Sequence, residues 1–310
     1  MRAVFLGTPS FAVPTLETMV EAGHEILGVF TQPDRPSGRG RALTAPPVKE
    51  AALRLGLAVH QPERIRRPEA VALLGALAPE VMVVVGYGQI IPQSIIDIPP
   101  RGILNVHASL LPRYRGAAPI QWAIARGETV TGVTIMRIDA GLDTGDLLLA
   151  SETPIGPEES ATDLSARLAR MGADLLVAAL RGIEAGALLS RPQEHAQATL
   201  APILKKEDGR IDWRRPAAEI HNRVRGFQPW PGAHTRFRGQ TLNIWKSCPA
   251  PETLSDPPGA LHIERRRLVV ACGGGSALEI LELQPEGKKR IPAVAFLNGY
   301  RVLHNEILGD

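Results

Sequence analysis

Val81-Met82-Val83-Val84-Val85-Gly86-Tyr87-Gly88-Gln89 opens with five consecutive apolar residues and then breaks at two glycines. A strand with one wet face alternates apolar and polar residues, whereas a strand buried on both faces reads as an unbroken apolar run. The run therefore predicts an inner strand of a parallel sheet, ending where Gly86 and Gly88 turn the chain. Working outward, residues 2–6, 25–31, 102–107, 131–138 and 146–150 read as further strands. Helices lie between them. One starts from Ser10 as a cap and runs to Ala22, with Pro14 in its first turn and Gly23 just past its end. Others cover 47–55, 69–77, 117–126 and 160–185. Strand-helix alternation of this kind predicts an open, doubly wound, mostly parallel α/β sheet.

The texture changes further along. A length of 310 residues predicts two domains. Residues 1–188 form the first, 189–207 lack periodicity and read as a linker, and 208–310 form the second. In that second domain short alternating stretches at 232–237, 240–246, 260–264, 266–272, 276–283 and 300–304 predict a small β-barrel or sandwich. Charge divides unevenly between the halves. Residues 1–190 carry 17 Lys and Arg against 19 Asp and Glu, while the remaining 120 carry 18 against 13. A basic second half suits a polyanionic partner, and ordinary solvated surface is the bland alternative. No apolar run approaches the ~20 residues of a membrane span. Gly7 and Pro9 interrupt the first apolar stretch too early for a secretory leader. Cys248 and Cys272 supply neither a disulfide framework nor a zinc cluster, which fits a reducing cytoplasm. Scattered histidines and carboxylates lack ligand spacing, so no metal is expected.

Ligands of open α/β sheets sit beyond the carboxyl ends of the strands. Those ends deliver Gly7-Thr8-Pro9-Ser10, Gly86-Tyr87-Gly88-Gln89, Asn105-Val106-His107-Ala108-Ser109 and Asp139-Ala140-Gly141-Leu142-Asp143-Thr144-Gly145. Asn105 and His107 are two apart on a strand and so share a face. An amide and an imidazole there make an oxyanion-stabilising pair, with Asp143 orienting or charging the imidazole. A structural histidine near a helix cap is the competing reading. Asp139 reads first as a turn residue. The turn after the first strand lacks Gly-x-Gly-x-x-Gly, and Gly273-Gly274-Gly275 falls between β stretches as a hairpin turn, which disfavours dinucleotide binding.

Residues 105–119, Asn-Val-His-Ala-Ser-Leu-Leu-Pro-Arg-Tyr-Arg-Gly-Ala-Ala-Pro, followed by 139–145, resemble the signature of the formyltransferases that use 10-formyltetrahydrofolate. The whole chain is similar to the branch of that family acting on charged initiator tRNA. The similarity includes Thr31–Gly40, Asp208–Trp213 and Arg225–Ala233. The resemblance implies a Rossmann-like catalytic domain with catalytic Asn105, His107 and Asp143. It implies a folate along Ser109, Leu110, Leu111 and Pro112 and along Gly86, Tyr87, Gly88 and Gln89. It further implies an OB-like second domain that holds tRNA, and an arginine-rich loop, Gln32–Pro46, whose Arg35, Arg39 and Arg41 reach the acceptor end. That loop is expected to lack secondary structure. In the expected reaction the methionyl α-amine attacks the formyl carbon while Asn105 and His107 donate to the developing oxyanion. A cytoplasmic monomer without a metal is expected. An amino-sugar nucleotide formyltransferase and a non-catalytic RNA-binding protein are the alternatives.

Overall fold

The computed structural model describes residues 1–37 and 42–309. The chain divides into two compact units. The first comprises residues 1–116, 131–153 and 165–201; the second comprises 117–130, 154–164 and the chain from 202 onward.

In chain order the strands associated with the first unit are β1 (Arg2–Gly7), β2 (Glu25–Phe30), β3 (Arg35–Ser37), β4 (Ala42–Thr44), β5 (Val59–His60), β6 (Val81–Val85), β7 (Ile103–His107), β8 (Val130–Arg137) and β9 (Leu147–Pro154). The helices up to that point and just beyond are α1 (Val13–Glu21), α2 (Pro47–Arg54), α3 (Pro68–Leu77), α4 (Gln93–Ile96), α5 (Pro119–Ala125) and α6 (Ala161–Glu184). Seven strands form one sheet in the order β5-β2-β1-β6-β7-β8-β9. β1 runs parallel to both β2 and β6, and β6 runs parallel to β7. β8 runs antiparallel to β7, so the sheet is mixed with a parallel centre. The apolar run of β6 is buried at every position, as its composition requires. Val4, Leu6, Met82 and Val84 join Phe30, Leu74 and Tyr87 in one core cluster.

Three local expectations change. Ser10 starts a short 3-10 turn rather than capping α1, which begins at Val13 directly before Pro14. Proline tolerates only a first turn, so it marks the start. The stretch expected to be structureless carries the stem of a hairpin, β3 against β4, with Arg35 opposite Thr44 and Pro36 opposite Leu43. Backbone pairing in an exposed two-stranded ribbon needs no apolar periodicity, so composition alone reads it as loop. Third, residues 189–201 run along the first unit, where Arg191 and Leu147 exchange backbone hydrogen bonds of 2.8 and 2.9 Å.

The second unit holds α7 (Ala217–Gly226), β10 (Ala233–Phe237), β11 (Gln240–Ala250), β12 (Leu261–Glu264), β13 (Arg267–Ala271), β14 (Ala277–Pro285), β15 (Ile291–Pro292) and α8 (Ala293–Tyr300). Its antiparallel sheet has the order β10-β11-β14-β13-β12, with β15 on β14. Among the described residues these pairings form one open sheet, not the closed barrel or sandwich expected. Gly273–Gly275 lies in the β13–β14 connection, with Gly274 and Gly275 at φ +66° and +74°. The strand expected at 300–304 is instead the end of α8 and the turn after it. Ala293 and Phe296 sit one turn apart and bury against the sheet. Helix α7 was absent from the sequence reading. Ile220 and Val224, four residues apart, place its apolar face on the core. α5, from the 117–130 excursion, packs on α7 with Trp122 edge-on to Phe227 at 5.4 Å.

Candidate active site

Because the chain winds away from β1 in both directions, the ends of β1 and β6 flank a switch point, the usual ligand position in such sheets. The Tyr87 carbonyl is fixed there by Thr8 Oγ1 at 2.9 Å and Gln32 Nε2 at 3.1 Å. Gly86 and Gly88 both have positive φ, +57° and +86°. A Cβ on Gly86 would stand 3.0 Å from Pro9 Cγ. The ribbon is thus bare backbone on its exposed side, followed by Ile90, which is 90% exposed.

β7 delivers Asn105 and His107, and α6 holds β7 in place. Gly172 of α6 faces Val106, and a Cβ there would come within 2.7 Å of Val106 Cγ1. His107 is buried, with Nε2 2.9 Å from the Tyr114 carbonyl oxygen. A carbonyl only accepts, so Nε2 donates. The other ring nitrogen, Nδ1, stands 3.7 Å from Asp143 Oδ2. That is too long for a hydrogen bond but close enough for charge to act. Asp143 Oδ2 also accepts from the Gly116 backbone N–H at 2.8 Å. The Asp143 backbone has φ +51°, a left-handed conformation that aspartate tolerates better than most residues. With Nε2 committed to Tyr114, the face of the imidazole free for proton traffic is the Nδ1 side, beside the carboxylate. Asn105 is half-buried on the same strand. Asp139 serves its turn: Oδ1 accepts from Gly141 N at 3.0 Å and from Thr144 Oγ1 at 2.7 Å.

The residues expected along the folate divide into two sets. Gly86, Gly88, Leu110 and Pro112 are exposed or half-exposed. The side chains of Tyr87, Ser109 and Leu111 are buried. Tyr87 lies in the β-sheet core, Leu111 packs with Met136 and Leu147, and Ser109 Oγ donates to the Arg113 carbonyl at 2.6 Å. Burial pushes the Tyr87 phenol up to about 12. Gln89 is turned to residues 62–65, accepting from Ile65 N at 2.7 Å and donating to the Glu63 carbonyl at 3.2 Å. Arg35 is exposed on β3; Arg39 and Arg41 lie outside the described residues.

Several polar residues at the site escaped the sequence reading. Thr134 Oγ1 donates to the Ser109 carbonyl at 2.7 Å and accepts from Leu111 N at 3.2 Å. Gln193 is buried and donates through Nε2 to the carbonyls of Asp143, 2.9 Å, and Gly145, 2.7 Å. Arg115 donates to Gln193 Oε1 from Nε at 3.2 Å and from an Nη at 2.6 Å. Thr199 Oγ1 accepts from Tyr114 N at 2.9 Å. Gln193 and Thr199 sit in a stretch without periodicity, so nothing local marks them. Among the described residues no three His, Cys, Asp or Glu stand together as a metal site. Likewise, none of the described helices is long and apolar enough to cross a membrane.

The Asn105 amide and His107 imidazole on one strand, the Asp143 carboxylate beside the ring and the glycine-bearing end of the neighbouring β6 are groups suited to direct acyl transfer to an incoming nucleophile. Residues 1–180 match the model of the family described as formyl transferase, and residues 203–301 match that of the formyl transferase C-terminal domain; the chain belongs to this family. The methionyl-tRNA formyltransferase of Solibacter usitatus (strain Ellin6076) is 64% identical over 310 residues, spanning 100% of this chain and 99% of the relative. That of Koribacter versatilis (strain Ellin345) is 59% identical with the same coverage. Among solved structures, WlaRD, a sugar 3N-formyl transferase, superposes with TM-score 0.68 at 18% identity, covering 93% of this chain and 99% of that one. HypX from Aquifex aeolicus in complex with tetrahydrofolic acid gives TM-score 0.64 at 19% identity, covering 96% of this chain and 47% of that one. This chain therefore spans about half of HypX, and at such identities the likeness shows the fold.

Proposed function

We propose that this protein transfers a formyl group from 10-formyltetrahydrofolate to the α-amine of methionine on charged initiator tRNA. The observation that carries the chemistry is the set at the end of β7: Asn105 and His107 on one strand, with Asp143 3.7 Å from the imidazole. The acceptor is argued from the methionyl-tRNA formyltransferases that match this chain along its whole length. Bare backbone at Gly86 and Gly88 beside exposed Ile90 fits a flat, partly apolar ring system with hydrogen-bonding edges. Leu110 and Pro112 would continue that contact. When bound, the folate supplies the formyl carbon.

The protein's own part is electrostatic and positional. The Asn105 amide donates to the formyl oxygen as negative charge gathers there. Because Nε2 is committed to Tyr114, His107 is read here as the base rather than as a second oxyanion donor. Its Nδ1 takes the proton released by the attacking amine and returns it to the folate nitrogen as the bond from that nitrogen to the formyl carbon breaks. The Asp143 carboxylate stabilises the ring while it is charged. No covalent intermediate with the enzyme is required. Residues 1–188 carry the reacting groups in our reading. Residues 208–310, read as OB-like in role, add phosphate contacts through their basic excess, and 189–207 connect them. Arg35, Arg39 and Arg41 are read as contacts to the acceptor end from the family resemblance and the composition of their loop. The same reading carries with it a cytoplasmic, monomeric, metal-independent enzyme.

An amino-sugar acceptor is the second reading: WlaRD, a sugar 3N-formyl transferase, shares this fold, and the fold by itself does not choose the acceptor. Formylation of charged initiator tRNA, charged elongator tRNA and a dTDP-amino sugar should be measured side by side. Turnover confined to the initiator tRNA is expected. Preference for the sugar, or folate turnover indifferent to acceptor, would overturn the assignment.

A further inference from the structure

We infer that Gln193, locked by Arg115, is a positioning residue for the catalytic loop, so that the 193–201 segment completes the active site. The inference rests on the proposed role of Asp143. Its starting point is a buried amide whose orientation cannot reverse. Gln193 is 5% exposed and Arg115 is 7% exposed. A guanidinium can only donate, so the Gln193 atom facing it is the oxygen, held by two N–H groups at 3.2 and 2.6 Å. Carbonyls can only accept, so the atom facing Asp143 and Gly145 is the nitrogen, at 2.9 and 2.7 Å. Flipping the amide would set acceptor against acceptor twice and donor against donor twice.

The clamp acts on the residue that matters. Asp143 carries a left-handed backbone, and its carbonyl and that of Gly145 are gathered by one amide. This fixes the direction in which the Asp143 side chain leaves the loop. Its Oδ2 then meets the Gly116 N–H at 2.8 Å and His107 Nδ1 at 3.7 Å. Arg115 is the neighbour of Gly116, so one dipeptide holds the backbone of Asp143 through Gln193 and the carboxylate directly. The same segment supports the imidazole. Thr199 Oγ1 receives the Tyr114 N–H, and the Tyr114 carbonyl receives His107 Nε2. The backbone of Arg115 pairs with 199–201 on both sides, Arg115 N to Thr199 O at 2.8 Å and Ala201 N to Arg115 O at 2.7 Å. Both members of the His107–Asp143 pair are therefore secured from a stretch that contributes no reacting group.

Gln193→Met keeps the volume and removes both polar ends, but it takes the acceptor from Arg115 Nε and leaves that guanidinium its contact with His195 Nδ1 at 3.0 Å. Arg115→Met/Gln193→Met removes both partners and guards against a folding defect. Each is measured in the full chain for kcat, both KM values, the pH dependence of kcat and the melting temperature, in wild-type and Asp143→Ala backgrounds. We expect kcat to fall about 10- to 100-fold, the scale of a ~1 Å misplacement, with KM for folate and tRNA nearly unchanged. The pH profile should shift toward that of Asp143→Ala. In the Asp143→Ala background the same substitutions should change kcat less than about 3-fold, because a residue acting through Asp143 has nothing left to position. An equal loss in both backgrounds, or unchanged kcat in the folded double variant, would overturn the inference. Wild-type turnover in Asp143→Ala itself would instead remove the reading of the site.

Discussion

Asn105 and His107 announced themselves through strand parity, since two polar residues on one face of an inner strand need an outlet at its end. What the ring does with its nitrogens was closed to the sequence. The Nε2 bond depends on the carbonyl of Tyr114, whose backbone sits at φ +61° and so turns toward the strand. In the mechanism proposed above the two residues have separable duties, oxyanion donor and proton acceptor. Asn105→Ala should lower kcat by about 10²–10³, the usual cost of one oxyanion donor, and leave KM for charged tRNA within about twofold. Steady-state kinetics with saturating folate check this. A KM effect without a kcat effect would make Asn105 a binding residue.

Among the elements, α6 packs closely on β7 at Gly172 and so bears on where β7 holds the residues proposed as catalytic. Gly172→Ala tests that dependence. Alanine gains roughly 1 kcal/mol of helix propensity over glycine. Its methyl would meet Val106 Cγ1 at 2.7 Å and Val133 Cγ1 at 3.3 Å, both in the sheet core. Overpacking of this kind costs about 1–3 kcal/mol, so the net change should be destabilising, with kcat lowered because β7 shifts. Urea denaturation and turnover, measured together, report both. A second element effect concerns β5 and its histidine. His60 packs on Phe30 with ring centroids 4.9 Å apart, and burial lowers its pKa from the ordinary 6.5. His24 is lowered too, by burial first and by the N-terminal ammonium second. An unfolded chain then binds more protons than the folded one between the two values. The stability these neutral rings allow is present above about pH 6.5 and is lost as pH falls through the lowered folded-state values. The melting temperature should drop between pH 7 and 5, and His60→Phe should flatten part of that slope. A slope unchanged by His60→Phe would remove His60 from the account.

For the molecule as a whole, the chain crosses between its units more than once. Residues 117–130 and 154–164 leave the first unit in sequence and belong to the second in space. A fragment ending at residue 190 therefore keeps α5 but loses α7, exposing Trp122 where Phe227 covers it, and also loses Gln193 and Thr199. Such a fragment should bind a hydrophobic dye and lack turnover even with a small amine acceptor. Dye fluorescence and a folate-cleavage assay on the purified fragment measure the two effects. A compact, active fragment would show that the spatial division has no energetic meaning.

The main strands and helices of the first unit and the parallel centre of its sheet were legible because they are written in local periodicity, and the pair proposed as catalytic, Asn105 and His107, stood out by its spacing along one strand. Val81–Val85 needs no partner to declare itself buried on both faces, and Asn105 and His107 need only the two-residue repeat. The second sheet's open edge, α7, the hairpin at Arg35–Thr44 and the Gln193 clamp needed the tertiary structure. In each case the stabilising contact joins residues distant in sequence or uses backbone groups that every residue carries. Gln193 reaches Asp143 across 50 positions. A lone buried glutamine in an aperiodic stretch looks like linker until the carbonyls it gathers are brought beside it.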